Sequence, residues 1–156
     1  MTTIQPTLLG VQQEFQTTDD YYTPPWIFEN MGIEFDLDVA SCPGGVPWIP
    51  AKTFYDMSDD GVAQPWSGRV WMNPPYSGPT PFIDRFIDHA NGVCLVPFSK
   101  SKWCTKLWDS AHGICMLPVS MKFIRNNVKD SISFPTMLAA FTPECVEAIS
   151  RVGKVR

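Results

Sequence analysis

Residues Val93-Cys94-Leu95-Val96-Pro97-Phe98 form an uninterrupted apolar run. A run this short, with no polar face, reads as a strand buried on both sides, and such strands sit at the centre of parallel sheets with helices on either face. The flanking segments fit that frame. Phe82, Ile83, Phe86 and Ile87 share one side of a helix predicted from Pro81 to Ala90, and Lys102 to Ala111 predicts another. Gly68 to Asn73 reads as a strand stopped by Pro74, Ile114 to Val119 as a second buried strand, Met121 to Arg125 and Met137 to Phe141 as further strands, and Pro143 to Val152 as a closing helix. Earlier, Thr23-Pro24-Pro25 predicts a helix start with Thr23 as its hydroxyl N-cap and Gly32 as its C-cap. Ile33 to Asp38 alternates apolar and acidic residues, the pattern of a half-buried strand, and Thr53-Phe54-Tyr55 predicts a short one. Strands and helices alternating at this spacing specify an open α/β sheet.

A chain of 156 residues fits one domain, here 19–156, behind an N-terminal arm over 1–18 that shows no period. No apolar run is long enough to cross a bilayer, and the first residues lack a signal peptide's basic start and apolar stretch, which predicts a cytoplasmic protein. The five cysteines are odd in number and widely spaced, arguing for reduced thiols and against a metal centre. Net charge is −4, unevenly spread. Residues 1–66 carry ten acids against Lys52 alone, whereas 67–156 carry eleven bases against six acids. Such a split permits a cationic face toward a phosphate backbone, although halves that interleave in space would cancel it.

Ligands in open α/β sheets sit beyond the carboxyl ends of the strands. Asp38, Asn73 and Phe98 all fall there, and Asn73-Pro74-Pro75-Tyr76 follows one such end. An amine on an aromatic ring is a poor nucleophile because its lone pair is delocalised. Two acceptors binding its N–H groups favour the tetrahedral nitrogen that attacks a methyl sulfonium. The amide oxygen of Asn73 can be one, and a carbonyl near Pro74, stiffened by Pro75, the other. Tyr76 offers a flat face for stacking an extruded base, worth on the order of 1–3 kcal/mol. As a rigid turn alone, the same four residues would need no function.

The motif resembles that of amino-methyltransferases, and the chain from about Asp20 to Phe141 is similar to the small phage and prophage DNA adenine-N6 methyltransferases. The resemblance is carried by Tyr22-Thr23-Pro24-Pro25, Phe35 to Ser41, Asp60-Gly61 with Trp66, Gly68 to Tyr76, Phe82-Ile83-Asp84, and Leu95-Val96-Pro97 with Trp103. It implies a compact Rossmann-like fold, S-adenosylmethionine as methyl donor and adenine in double-stranded DNA as acceptor. It further implies that Tyr22, Thr23 and Pro24 hold the cofactor's methionine end. Asp38, Ala40 and Ser41 belong to the first cofactor motif, with an acid for the amino group. Asp60 lies near ribose or adenine; Asp56, an acid after the second strand, competes for that role, and Asp60 is favoured.

The sequence departs from the family in two ways. The glycine-rich turn after the first strand is replaced by Asp38 to Gly45, and the stretch from Asp60 to Arg69 is too short for the extra helix and strand of a full methyltransferase sheet. With no segment long enough for a target-recognition domain, DNA contact falls to loops. Lys100 and Lys102, with Lys106 nearby, follow the Val93 strand, and Lys122, Arg125 and Lys129 flank Asn126-Asn127 in a loop expected over 122–130. His89 and His112 read as surface or capping residues. The alternatives are a cytosine-N4 or a protein-glutamine methyltransferase, which use the same amine geometry, and a cofactor- or DNA-binding module without turnover.

Overall fold

The computed structural model describes residues 21–118, 120–125, 128–131 and 134–156, without the side chains of Arg125 and of residues 128–131. The expected arm over 1–18 lies outside them, as do Val119, Asn126 and Asn127.

In chain order the elements are α1 (Pro25–Met31), β1 (Phe35–Asp38), β2 (Ala51–Phe54), β3 (Val70–Met72), α2 (Thr80–His89), β4 (Gly92–Pro97), α3 (Lys102–Ser110), β5 (Gly113–Met116), β6 (Lys122–Arg125), β7 (Val128–Ser131), β8 (Thr136–Phe141) and α4 (Pro143–Ser150). Six strands make one sheet in the order β2-β1-β3-β4-β8-β5. β2, β1, β3 and β4 are mutually parallel, and β8 runs antiparallel to both β4 and β5. The sheet is thus mostly parallel, in line with the open, Rossmann-like α/β sheet expected from the sequence. β2 is its outer strand among the described residues, in line with the short Asp60–Arg69 stretch.

Strand alternation divides the interior into two cores. Trp71, Val93, Leu95, Leu138 and Ala140 pack with Ile27, Phe28 and Met31 of α1 and Cys145, Ala148 and Ile149 of α4. Val70, Met72, Cys94, Val96, Met137 and Ala139 face the other way, onto Ile83 and Phe86 of α2 and Cys104 and Leu107 of α3. Every side chain of β4 from Val93 to Val96 is fully buried, as its apolar run required. The outer edge of β5 is covered by the last residues of the chain, where Ile114 and Arg156 exchange backbone hydrogen bonds at 2.9 and 2.8 Å.

Two expectations need correction. Thr23 does not cap α1: the N-cap is Pro24, without a side-chain bond, and Thr23 is buried against the site instead. Residues 122–125 and 128–130 are strand and not loop, since β6 and β7 pair antiparallel with Arg125 opposite Val128. The first strand of this hairpin also pairs with the segment before α1, where Tyr22 and Ile124 exchange backbone hydrogen bonds at 2.8 and 2.9 Å. Phe123 stacks on Tyr21 beneath that pairing.

Candidate active site

β1 is the point at which the sheet order reverses, with β2 on one side and β3 on the other, and the loops leaving β1 and β3 part to open a crevice. Two clefts occupy it. The first, about 130 Å³, is lined by Tyr21, Tyr22 and Thr23, by Asp38 and the loop that follows it, and by Trp71 and Asn73. The second, about 220 Å³, is lined by Asp56, Asp60 and Gly61 on one side and Asn73, Pro75 and Phe82 on the other. Ala40, Ser41, Met57 and Asn73 belong to both, so the clefts form one continuous groove across the end of β1.

Asn73 stands at the junction. Its Nδ2 donates to the Tyr21 carbonyl at 3.2 Å and to Thr23 Oγ1 at 3.4 Å. A carbonyl oxygen can only accept, so the atom facing Tyr21 must be the amide nitrogen. The orientation of the side chain is therefore fixed by chemistry, and Oδ1 is left as an acceptor. After Asn73, the Pro75 carbonyl accepts the Gly78 amide at 3.2 Å, whereas the Pro74 carbonyl takes no backbone hydrogen bond among the described residues.

Asp38 is buried at the floor of the first cleft. Burial pushes its carboxyl up to about 7, against the Ala40 amide, which donates to it at 3.2 Å, and the nearby Ser41 hydroxyl, both of which favour the charged form. Ser41 Oγ itself is buried without a hydrogen bond of normal geometry, and so is the indole Nε1 of Trp71. Both residues line the same cleft as Asp38. A buried carboxyl and two buried polar atoms without hydrogen bonds of normal geometry among the described residues thus belong to residues of one cleft, an arrangement suited to a polar ligand.

The two candidate acids of the second cleft differ. Asp56 accepts from the backbone and hydroxyl of Ser58 at 2.9 and 2.6 Å, and its own amide donates to Asp59 at 2.9 Å, a reciprocal cap on the 3-10 turn Met57–Asp59. The Ser58 hydroxyl, foremost, holds its carboxyl below the usual range. Asp60 is exposed, with left-handed backbone (φ 55°), and its carboxylate has no partner among the described residues. Gly61 allows the close approach that places it there, since a Cβ would lie 2.2 Å from the Val39 carbonyl oxygen. The Trp66 indole donates to the Gly61 carbonyl at 2.8 Å, and Arg85 lies over the Trp66 ring while reaching the Val62 carbonyl.

Of the other expected residues, Pro24 is buried at the start of α1 and lines neither cleft. Tyr76 turns its hydroxyl inward to the Leu95 carbonyl at 3.4 Å and makes T-shaped contacts with Phe123 and Phe134. Burial raises its phenol well above the ordinary value. Lys100, Lys102 and Lys122 are exposed, whereas Lys106 pairs with Asp84 of α2 at 2.9 Å. The side chains of Arg125 and Lys129 lie outside the described residues. His89 bonds the Gly68 carbonyl and His112 accepts the Thr142 amide, both away from the clefts.

The DNA N-6-adenine-methyltransferase (Dam) family model matches residues 11–142. The chain belongs to the Dam family. A DNA N-6-adenine-methyltransferase of Haemophilus phage HP1 (strain HP1c1) is 30% identical over 141 residues, spanning 81% of this chain and 80% of the relative. No solved structure matches it. The protein is therefore an adenine-specific DNA methyltransferase, which sets aside the cytosine-N4, glutamine and non-catalytic alternatives. No helix among the described residues of this Dam-family enzyme is long and apolar enough to cross a membrane. Sequence reasoning missed Tyr21 and Met57, which line the groove. Tyr21 acts through a backbone carbonyl, which carries no side-chain signal, and Met57 lines the groove from a turn that otherwise leaves it 87% exposed.

Proposed function

We propose that the groove binds S-adenosylmethionine, with its methionine end in the first cleft and its nucleoside end in the second. In this reading Asn73 receives the N6 amine of an adenine turned out of double-stranded DNA. The fit of the cofactor rests on the polar groups of the first cleft. Asp38 is an acceptor suited to an ammonium, and Ser41 Oγ and Trp71 Nε1, which make no hydrogen bond of normal geometry among the described residues, are donors suited to a carboxylate. Tyr22, Thr23 and Ala40 wall the same space. Asp60 is favoured over Asp56 for the ribose hydroxyls, because Asp56 already caps its turn. When bound, the cofactor supplies an electrophilic methyl on a sulfonium.

The chain's own part is to orient and polarise the amine. Asn73 Oδ1 accepts one N–H and the Pro74 carbonyl the other, which favours a tetrahedral nitrogen whose lone pair is withdrawn from conjugation with the ring and available to the methyl group as charge develops. Pro75 restricts the backbone and holds that carbonyl in place. The exposed part of Tyr76 stacks on the extruded ring, while Phe123 and Phe134 hold it upright. No general base is required before transfer, because the proton can leave the amine afterward. Lys100, Lys102, Lys122, Arg125 and Lys129 contact the phosphates, the last three from the β6–β7 hairpin.

The observation that carries this reading is the orientation of Asn73. Its nitrogen is occupied by Tyr21 and Thr23, its oxygen takes no hydrogen bond among the described residues, and the residue lines both clefts. Calorimetry with S-adenosylmethionine, followed by mass spectrometry of nucleosides from treated duplex DNA, tests it. Wild-type protein should bind the cofactor and yield N6-methyladenine, and Asn73→Ala should bind the cofactor but yield none. Full activity of Asn73→Ala would overturn the assignment.

A further inference from the structure

Trp48 lies in the loop between β1 and β2, between Ser41 and Asp56 in the chain, and lines neither cleft. Its indole Nε1–H donates to the Thr23 carbonyl at 2.7 Å, shorter than either bond from Asn73 to the same segment. The same segment holds Asn73 through the Tyr21 carbonyl and the Thr23 hydroxyl, at 3.2 and 3.4 Å. Those two bonds are at the long end of the useful range, where a few tenths of an ångström decide whether they exist. The location of the segment therefore sets the aim of the Asn73 amide.

The segment is held from two sides. On one, Tyr22 pairs with Ile124 of the hairpin. On the other, Thr23 is followed by Pro24 and Pro25, which have no backbone N–H with which to anchor the chain. A carbonyl is the remaining handle there, and Trp48, whose indole is purely a donor, grips it. The ring is part-buried against the α1–α4 core, so its position is itself fixed by packing.

We propose that Trp48 is a positioning residue for methyl transfer. It sets the Tyr21–Thr23 segment so that Asn73 presents Oδ1 to the amine. The inference rests on the reading of Asn73 as amine acceptor. Trp48→Phe keeps an aromatic ring in the packing and removes the N–H. In single-turnover assays at saturating cofactor, with cofactor affinity measured separately by calorimetry, Trp48→Phe should lower the methyl-transfer rate by about tenfold. KM for DNA and the thermal midpoint should change little, a split that loss of folded protein would not produce. Thr23→Val, which removes only the hydroxyl, should also slow transfer. The double variant should lose less than the product of the two separate losses, because both act on one contact.

An unchanged rate in Trp48→Phe, or losses that multiply fully in the double variant, would overturn the proposal. If Trp48→Phe fails to fold, Trp48→Met takes its place, since it too removes the indole N–H, and an unchanged transfer rate there overturns the proposal. Asn73→Ala is measured alongside. Activity surviving in Asn73→Ala strikes at the amine reading. An inactive Asn73→Ala beside wild-type rates in both other variants strikes only at Trp48.

Discussion

The side-chain nitrogen of Asn73 donates to the backbone carbonyl of Tyr21, a residue 52 positions earlier in the chain. The contact joins the motif after β3 to the segment before α1, and it makes the amide, not merely its oxygen, necessary at that position. Aspartate would offer the same outward acceptor but would turn a second oxygen toward a carbonyl that cannot donate.

Asn73→Asp should accordingly reduce the rate of methyl transfer by about a hundredfold, the scale on which losing one aligned polar group acts in a transition state. Cofactor binding should be largely retained. Single-turnover kinetics check this, and a rate within about threefold of wild type would show that the Tyr21 contact is dispensable.

Asp38 predicts a pH dependence with a definite sign. Its folded-state value of about 7 lies above the ordinary 3.8, so between those values the folded protein holds a proton that the unfolded chain has released. Stability therefore falls as pH rises through that window. Asp38→Asn should raise the thermal midpoint at pH 8, on the order of 5 °C, and the gain should vanish near pH 4. A cationic ligand beside Asp38 reverses the preference, so wild-type affinity for S-adenosylmethionine should weaken as pH falls below about 7. Scanning calorimetry and titration calorimetry at pH 5.5 to 8.5 read both effects. A flat affinity profile would remove Asp38 from the ammonium site.

The exposed lysines should reveal themselves by salt. Replacing Lys100, Lys102 and Lys122 together by Ala should flatten the plot of log affinity for duplex DNA against log salt concentration, by up to about 0.9 for each phosphate no longer neutralised. Lys106→Ala should leave the slope unchanged, because Asp84 already neutralises that ammonium. Equal slopes for the triple variant and wild type would place the DNA on another face.

Gly61→Ala tests the wall of the second cleft. A methyl group 2.2 Å from the Val39 carbonyl oxygen cannot be accommodated without moving one of the two loops. The substitution should cost about 1–3 kcal/mol of stability and weaken cofactor binding, both measurable by denaturant unfolding and calorimetry. Wild-type values for both would mean that the loop yields freely.

What the sequence discloses follows from how each residue acts. The Val93–Phe98 run announces a central strand because burial on both faces leaves a wholly apolar pattern, and Pro74 marks the end of β3 because it cannot continue the ladder. Asp38, Ser41 and Asn73, which line the first cleft, are legible as candidates because their polar side chains follow strand ends. Thr23 reads as a helix cap, since Thr before Pro-Pro has that local meaning, yet its actual partner lies fifty positions away. The hairpin strand Val128–Ser131 escapes detection because Val-Lys-Asp-Ser has too little apolar alternation to signal pairing. The antiparallel entry of β8 between β4 and β5 leaves no mark at all, because Thr136–Phe141 is almost wholly apolar and would suit either direction.

The backbone exchange between Ile114 and Arg156 bears on how the protein can be handled. Those final residues act as a selvedge on the sheet, occupying amides and carbonyls that would otherwise face outward beside the exposed Met116. Trimming them would bare an adhesive border to neighbouring molecules at high concentration, so a deletion meant to tidy the carboxyl terminus would trade a few residues for aggregation.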